Sequence, residues 1–488
     1  MKKINILITI LCIVLVSACD GFLDVKPSNY ASAETSITTA SDAAIVMNGL
    51  MSKMTSSSYY GRNMFMYGDA KGGDFAIRSQ GRGLDALYVF NHSASSNSYS
   101  GYWSQIYHCL LQVNNLITNI EKINAANEGS SDLDNYYGQA LTARALFYFD
   151  LVRIYGKPYD MDKTSYGVPL ILEPLDASAQ PTRATVEEVY TQILKDLVDG
   201  AALLPQSKSD GYLNYYANMA LQAKVNLYME NYSAALIAAE TVINSKKYTL
   251  YSNEKWVESW SSEFGSESIF ELGIYLDESD LGSGSLGYYL MRQARVKNAM
   301  GWFMASNQYL ARLGEDPDDI RWGIMDYDET YTDTGVYRYG SCNKYSGNDL
   351  KGDKGSASAV NIKIIRLSEV YLLAAEAAFG TDKEKAANYL NAIRKRSPNL
   401  EPATAETVTL DMIIEERSKE LFAEGQRFFD MMRLNKSITF SDDFISPAVV
   451  ITHREQTIDR TFYKAILPIS KSELDANPAL IPQQNPGY

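Results

Sequence analysis

The chain has 488 residues, 46% apolar and 21% charged, close to globular averages, so wholesale disorder is excluded. Asp and Glu number 59 against 45 Lys and Arg, a net charge of −14. A surface that tracks nucleic-acid phosphate needs the opposite balance, and no nucleic-acid partner is expected. With only His92, His108 and His453 available, an imidazole-based metal centre is not expected, nor is a cofactor.

The first element is a leader. Met1-Lys2-Lys3 is basic, and Ile4–Val16 is apolar apart from Asn5 and Thr9. That run falls short of the roughly 20 residues a membrane-spanning helix needs, so residues 1–18 read as a secretory signal. Leu15-Val16-Ser17-Ala18-Cys19 resembles a bacterial lipobox, in which cleavage leaves Cys19 as a lipid-bearing N-terminus. A plain signal peptide ending beside a Cys is the alternative. Residues 19–40, with Pro27, then read as a lipidated polar tether, and residues 41–488 as one composite domain.

Helical periodicity governs the next stretches. Apolar residues recur at helical spacing from Trp103 to Ile117 and from Ala140 to Tyr155, the second run stopped by Gly156 and Pro158. Val186–Leu204 ends at Pro205. Tyr216–Met229 and Tyr232–Ile243 form a pair broken at Glu230-Asn231, and Ile364–Phe379, Glu384–Arg396 and Leu410–Met432 complete the set. Ala223 precedes Ala235 by twelve residues across one short turn, and Ala375 precedes Ala387 by the same twelve. Small residues at matched positions let antiparallel helices approach closely, as stacked helix–turn–helix repeats require. The expected fold is mainly α: tetratricopeptide-like repeats over about 102–247 and 361–435, a large irregular ligand-binding face, and a few short strands. A coincidence of Ala-rich helices is the alternative.

Between the helical blocks, residues 58–101 and 248–360 are rich in Gly, Ser, Asp, Asn, Tyr and Trp, with Ser268–Leu272 a strand candidate. Loops this long are functional or disordered, and their aromatic content speaks against disorder. Catalytic signatures are weak. Gly282 to Gly287 matches GxGxxG, but the acidic stretch Asp277–Asp280 precedes it instead of an apolar strand, so a surface loop is expected. Asp326-Tyr327-Asp328 opens like a calcium loop, yet Tyr331 replaces its Gly and Tyr337 its bidentate Glu. A carboxylate pair for glycoside hydrolysis leaves no local signature and stays open as a remote alternative. Cys109 reads as a buried filler and Cys342 as a polar-loop residue; a bridge between them is conceivable but unsupported.

Tyr numbers 35, against 16 Phe and 5 Trp. A tyrosine couples a flat apolar face to a hydroxyl, so it suits half-wet binding surfaces as well as cores. Sugar rings stack their C–H faces on Tyr and Trp, while their hydroxyls want Asp, Asn and Arg. On that chemistry the candidate ligand-binding residues are Tyr67, Asp69, Arg82, Tyr88 and Asn91 in the first loop block, with Tyr289 and Trp302 in the second. The two blocks must then border one face. The alternative is that these rings pack the loops onto the helical body, as expected for Trp103, Trp256 and Trp260.

Separate stretches together resemble one family. Cys19-Asp20-Gly21-Phe22-Leu23-Asp24 with Pro27, and Arg144-Ala145 with Phe147, Tyr148, Leu151, Val152, Arg153, Tyr155, Gly156 and Pro158, are similar to segments of the SusD/RagB family of Bacteroidetes outer-membrane lipoproteins. Ile365–Leu372 through Ala375-Glu376-Ala377 follows in order, then Leu390, Asn391, Ile393, Arg394 and Arg396, and Glu416, Arg417, Glu420, Glu424, Arg427 and Asp430. The ending Asn485-Pro486-Gly487-Tyr488 also looks like the family terminus. The resemblance implies a helical scaffold under a loop-rich face that binds glycan, or in some members peptide. It implies partnership with a SusC-like TonB-dependent outer-membrane transporter, and no enzymatic activity. It assigns no individual binding residue, and a pure adaptor of the transporter is a further alternative. Independently of it, Glu416, Arg417, Glu420, Glu424 and Arg427 fall at three- and four-residue spacings that could form an ion-pair ladder.

Overall fold

The computed structural model describes residues 37–77, 84–95, 100–126, 128–176, 178–275, 282–291, 299–327, 339–346, 359–442 and 450–488. Cys19, the leader, Arg82 and most of the calcium-like turn lie outside the described residues.

Helix α1 (Ala40–Met54) begins at a capping box: the Thr39 hydroxyl accepts from the Asp42 amide at 3.2 Å, and the Asp42 carboxylate accepts from the Thr39 amide at 2.9 Å. Helix α2 (Asn63–Ala70), strand β1 (Phe75–Ile77) and helix α3 (Asp85–Val89) lie inside the block expected to be loop-rich. The long helices follow: α4 (Ser100–Ala125), α5 (Ser131–Tyr155), α6 (Val186–Leu203), α7 (Tyr215–Tyr228) and α8 (Tyr232–Asn244). Helix α5 starts at Ser130, whose hydroxyl accepts from the Leu133 amide, and stops at Gly156. Later come β2 (Ser268–Leu272), α9 (Leu286–Leu290), β3 (Phe303–Ala305), β4 (Met325–Tyr327), β5 (Tyr339–Cys342), β6 (Ile362–Arg366), α10 (Leu367–Phe379), α11 (Lys383–Arg394), α12 (Leu410–Glu420) and α13 (Arg427–Arg433).

The helices stack in sequence, α4 on α5, α5 on α6, α6 on α7, α7 on α8, α8 on α10 and α10 on α11. Ala223, Ala235, Ala375 and Ala387 are all buried, as helices joined by the short turns Met229–Asn231 and Gly380–Asp382 require. The tetratricopeptide-like scaffold is therefore present. Polar ties fix its register: Arg144 on α5 grips Asp196 on α6 through two 2.8 Å hydrogen bonds, and Asn218 on α7 donates to Thr142 Oγ1 and Leu197 O. Bidentate Arg–carboxylate geometry of this kind holds two buried helices at one spacing.

The strands form two-stranded antiparallel pairs, β1 with β3, β2 with β6 and β4 with β5. Two expected helices are corrected here. Ile364–Arg366 is strand, not helix, because Ile365 and Ile362 pair with Phe270 and Leu272 and every residue of β6 is buried. The run Leu410–Met432 is two helices, broken at Leu421–Gln426, where Ala423 and Gly425 adopt positive φ of 64° and 75°. The break has a tertiary cause. Asp69 on α2 accepts from the Gly425 amide at 2.7 Å, and a Cβ on Gly68 would lie 1.9 Å from Gly425 O, so two backbones touch there. Cys342 is likewise not in a polar loop; it sits buried on β5, and both it and Cys109 are free thiols.

The expected ion-pair ladder is a buried network whose partners come from other elements. Arg321 binds Glu416 at 2.6 Å and Asp319 at 2.7 Å, and Arg417 binds Asp430. Arg366, at the end of β6, reaches Glu424, Glu267 and Glu420, while Lys344 adds a second cation to Glu424. Burial pushes the Glu420 carboxyl up, but Arg396, Arg366 and Arg321 outweigh it and hold it at about 2.

Candidate ligand-binding site

The two loop blocks meet through β1 and β3, with Phe75 opposite Ala305 and Ile77 opposite Phe303. Every residue of β3 is buried, while Trp302, just before the strand, is half-buried. Asp74 anchors the base, accepting from the Ser418 hydroxyl at 2.6 Å and pairing with Arg312.

Helix α9 delivers a second ring. Ser285 caps it by accepting from the Tyr288 amide, and the chain returns so that the Gly301 and Trp302 amides donate to Tyr288 O and Tyr289 O at 3.2 and 3.0 Å. Gly301 takes a φ of 50° in this return, a conformation that glycine adopts without steric cost. Tyr289 and Trp302 thereby lie 5.9 Å apart, ring planes inclined at 51°. From the first block, Arg62 lays its guanidinium 4.8 Å from the Tyr289 ring centre and donates to Asn63 Oδ1 at 2.9 Å. Tyr289 is only 7% exposed, so Trp302 presents the larger open face, with partly exposed Arg62 and Tyr288 beside it. Such a group offers a ring for an apolar face and N–H donors for hydroxyls. A Trp, a Tyr and an Arg hold no nucleophile–base pair.

Of the residues expected at the site, Tyr289 and Trp302 come together. Tyr67, Asp69 and Tyr88 do not join them. The Tyr67 ring is 0% exposed, wedged between Phe428 and Phe429 on α13 and Tyr102 on α4. Its hydroxyl donates to Ala465 O at 3.3 Å and accepts from Lys71, a lysine that burial holds well below its ordinary range. Asp69 is the buried acceptor of the α12–α13 break, and burial raises its carboxyl well above the usual carboxylate range. Tyr88 is buried, donates to Ser441 O and Asp442 Oδ1 at 2.8 Å, and carries Arg454 over its ring. These three belong to the core because α2 and α3 are helices packed under the C-terminal segment. Asn91 is exposed, next to His92, which stacks on Tyr488. Arg82 lies outside the described residues.

Arg62 was not singled out from the sequence. The available signal was Tyr59-Tyr60-Gly61-Arg62, which has the same aromatic and polar texture as its block. Both tyrosines of that run turn inward to share the Asp150 carboxylate, at 2.6 and 2.7 Å, which leaves the arginine at the surface.

Comparison with known proteins covers almost the whole chain. A family model described as "SusD family" matches residues 288–488, and one described as "Starch-binding associating with outer membrane" matches residues 21–228. A SusD superfamily protein of Bacteroides thetaiotaomicron, known by crystal structure, is 36% identical, with 92% of this chain and 100% of that one covered and a TM-score of 0.85. SusD-like protein P2 of Formosa agariphila is 25% identical over 529 residues, with 100% of both chains covered. A structure named as a laminarin binding SusD-like protein has the same fold at 24% identity, a TM-score of 0.70, and 92% and 99% coverage.

Proposed function

This chain belongs to the SusD superfamily, and from that premise we propose that it captures oligosaccharide at the cell surface and passes it to a SusC-like, TonB-dependent outer-membrane transporter. The single observation that carries the reading is the convergence of Arg62, Tyr289 and Trp302, from two loop blocks more than two hundred residues apart, on one partly exposed aromatic face. The starch-binding description of the model over residues 21–228 supports carbohydrate as the ligand class. Capture needs no covalent step: a sugar face stacks on Trp302, and Arg62 donates to ring hydroxyls.

The test is calorimetric titration of the protein with neutral α-glucan and β-glucan oligosaccharides, repeated with Trp302→Ala. We expect saturable binding to one of the glucans and about a tenfold loss in the variant, near 1.4 kcal/mol, without a change in melting temperature. A response to peptide pools and to no glycan would instead place the chain among peptide-capturing proteins. Uptake that is intact in Trp302→Ala would make it an adaptor.

Anchoring through Cys19 follows from the lipobox-like run Leu15–Cys19. Incorporation of labelled palmitate in the native chain and not in Cys19→Ser supports it, and equal labelling of both discards it.

A further inference from the structure

A partly open pocket lies away from the Trp302 face, where the C-terminal end of α5 meets α13 and the chain returning through residues 460–466. Its volume is about 260 Å³. A cavity of roughly 150 Å³ already holds a benzene ring, so this one has room for an aryl ring with a short substituent. Rings line it from five separate elements: Tyr159 just after α5, Tyr190 from α6, Tyr228 from α7, Phe429 from α13, and Phe462 from the return segment. Tyr159, on the one-turn helix Tyr159–Asp162, meets Tyr190 edge to face at 5.1 Å.

The charges on the wall are one-sided. Among the described residues that line the pocket, Arg153, Lys157, Arg433 and Arg460 are cations and none is Asp or Glu. Each cation is paired to a carboxylate that stands off the wall: Arg153 to Asp150, Lys157 to Asp162, Arg433 to Glu376 and Asp430, and Arg460 to Asp160. Arg153 lies flat between Phe149 and Phe429, 4.1 and 4.4 Å from their centres, with one edge committed to Asp150 and to Phe149 O. The Tyr228 hydroxyl is close enough to favour the Arg153 charge. Beyond that mutual contact, neither the hydroxyl nor Arg153 Nη1, both buried, has a hydrogen-bond partner among the described residues. Buried donors of this kind are costly unless a partner arrives.

We propose that this pocket is a second ligand site, separate from the Trp302 face, and that it takes a small aromatic carboxylic acid. The ring enters the aromatic wall edge to face, and the carboxylate accepts from Arg153 Nη1 and the Tyr228 hydroxyl, with Arg460 at the rim. A neutral sugar fits poorly. Its hydroxyls are donors as well as acceptors, and a wall with four cations and no carboxylate offers few acceptors.

The experiment titrates the full chain with 4-hydroxycinnamate and, in parallel, with its uncharged methyl ester. Saturable binding of the acid is expected, at least tenfold tighter than the ester. Thr461→Trp plugs the rim from an exposed position, so folding is preserved while acid affinity falls at least tenfold. Arg460→Gln weakens the acid several-fold and leaves the ester unchanged, whereas Trp302→Ala leaves acid binding intact. No saturable binding, equal affinity for acid and ester, or acid binding that survives Thr461→Trp would each overturn the assignment.

Discussion

Two cation–aromatic contacts of nearly equal distance lie in very different surroundings. Arg366 sits 4.9 Å from the Trp260 ring, and Arg62 sits 4.8 Å from the Tyr289 ring. Around Arg366, α10, α12 and the β2–β6 pair leave it buried, and Glu267, Glu420 and Glu424 neutralise it. Around Arg62 the described neighbours include Asn63, Gly284 and Tyr289 of the loop blocks, and the residue stays partly exposed. The same kind of cation–ring contact therefore serves as a structural tie in one place and belongs to the proposed binding surface in the other. What differs is enclosure by neighbouring elements, which sets whether the polar edge is already spent on protein partners.

That contrast can be broken at its strong end first. Arg366→Met leaves three buried carboxylates short of a cation, and a loss of about 3–5 kcal/mol in urea unfolding is expected. A loss below about 1 kcal/mol would mean the network is wetter than the geometry shows.

Acid is a gentler probe of the same region. Glu420 is held at about 2, below its ordinary 4.5, so its stabilisation is complete above pH 4.5 and is lost as the pH falls towards 2. The neighbouring Glu267 is shifted the other way by burial, so the comparison to make is with Glu420→Gln. Thermal melts between pH 6 and 2 should show the native chain losing up to about 3 kcal/mol relative to that variant across this window. Parallel pH profiles would show that Glu420 is not the titrating group.

The smallest effect belongs to the open end. Arg62→Met should leave the melting temperature nearly unchanged and weaken oligosaccharide binding about two- to fivefold, the loss of one hydrogen bond to a sugar hydroxyl of about 0.5–1 kcal/mol. A large fall in stability would move Arg62 into the scaffold and erase the distinction between the two regions.

Helices proved easier to read than sites. The runs at Val186–Leu204 and Tyr216–Met229 carry their own punctuation, Thr185 with Glu188 at one start and Asn214 at the other, and their limits fell where expected. The Leu410–Met432 run carries equally good helical spacing, yet it breaks, because Gly68 and Asp69 from a segment far away occupy the space a continuous helix would need. Tyr67 and Tyr289 are chemically the same candidate. One is covered on three sides by α4 and α13, and the other is met by Arg62 and Trp302. No local pattern distinguishes them, since a tyrosine is stable in either setting.

The amino-acid order alone determined the helical repeats, their caps, the paired alanines and the family, because these depend on contacts within about one turn or between adjacent helices. The tertiary structure decided which rings and arginines keep exposed surface, that is, Trp302 and Arg62 in part, with Tyr67, Tyr88 and Arg366 inside. The reason is physical: burial is a property of what packs over a side chain, and for this protein those covering groups come from distant parts of the chain.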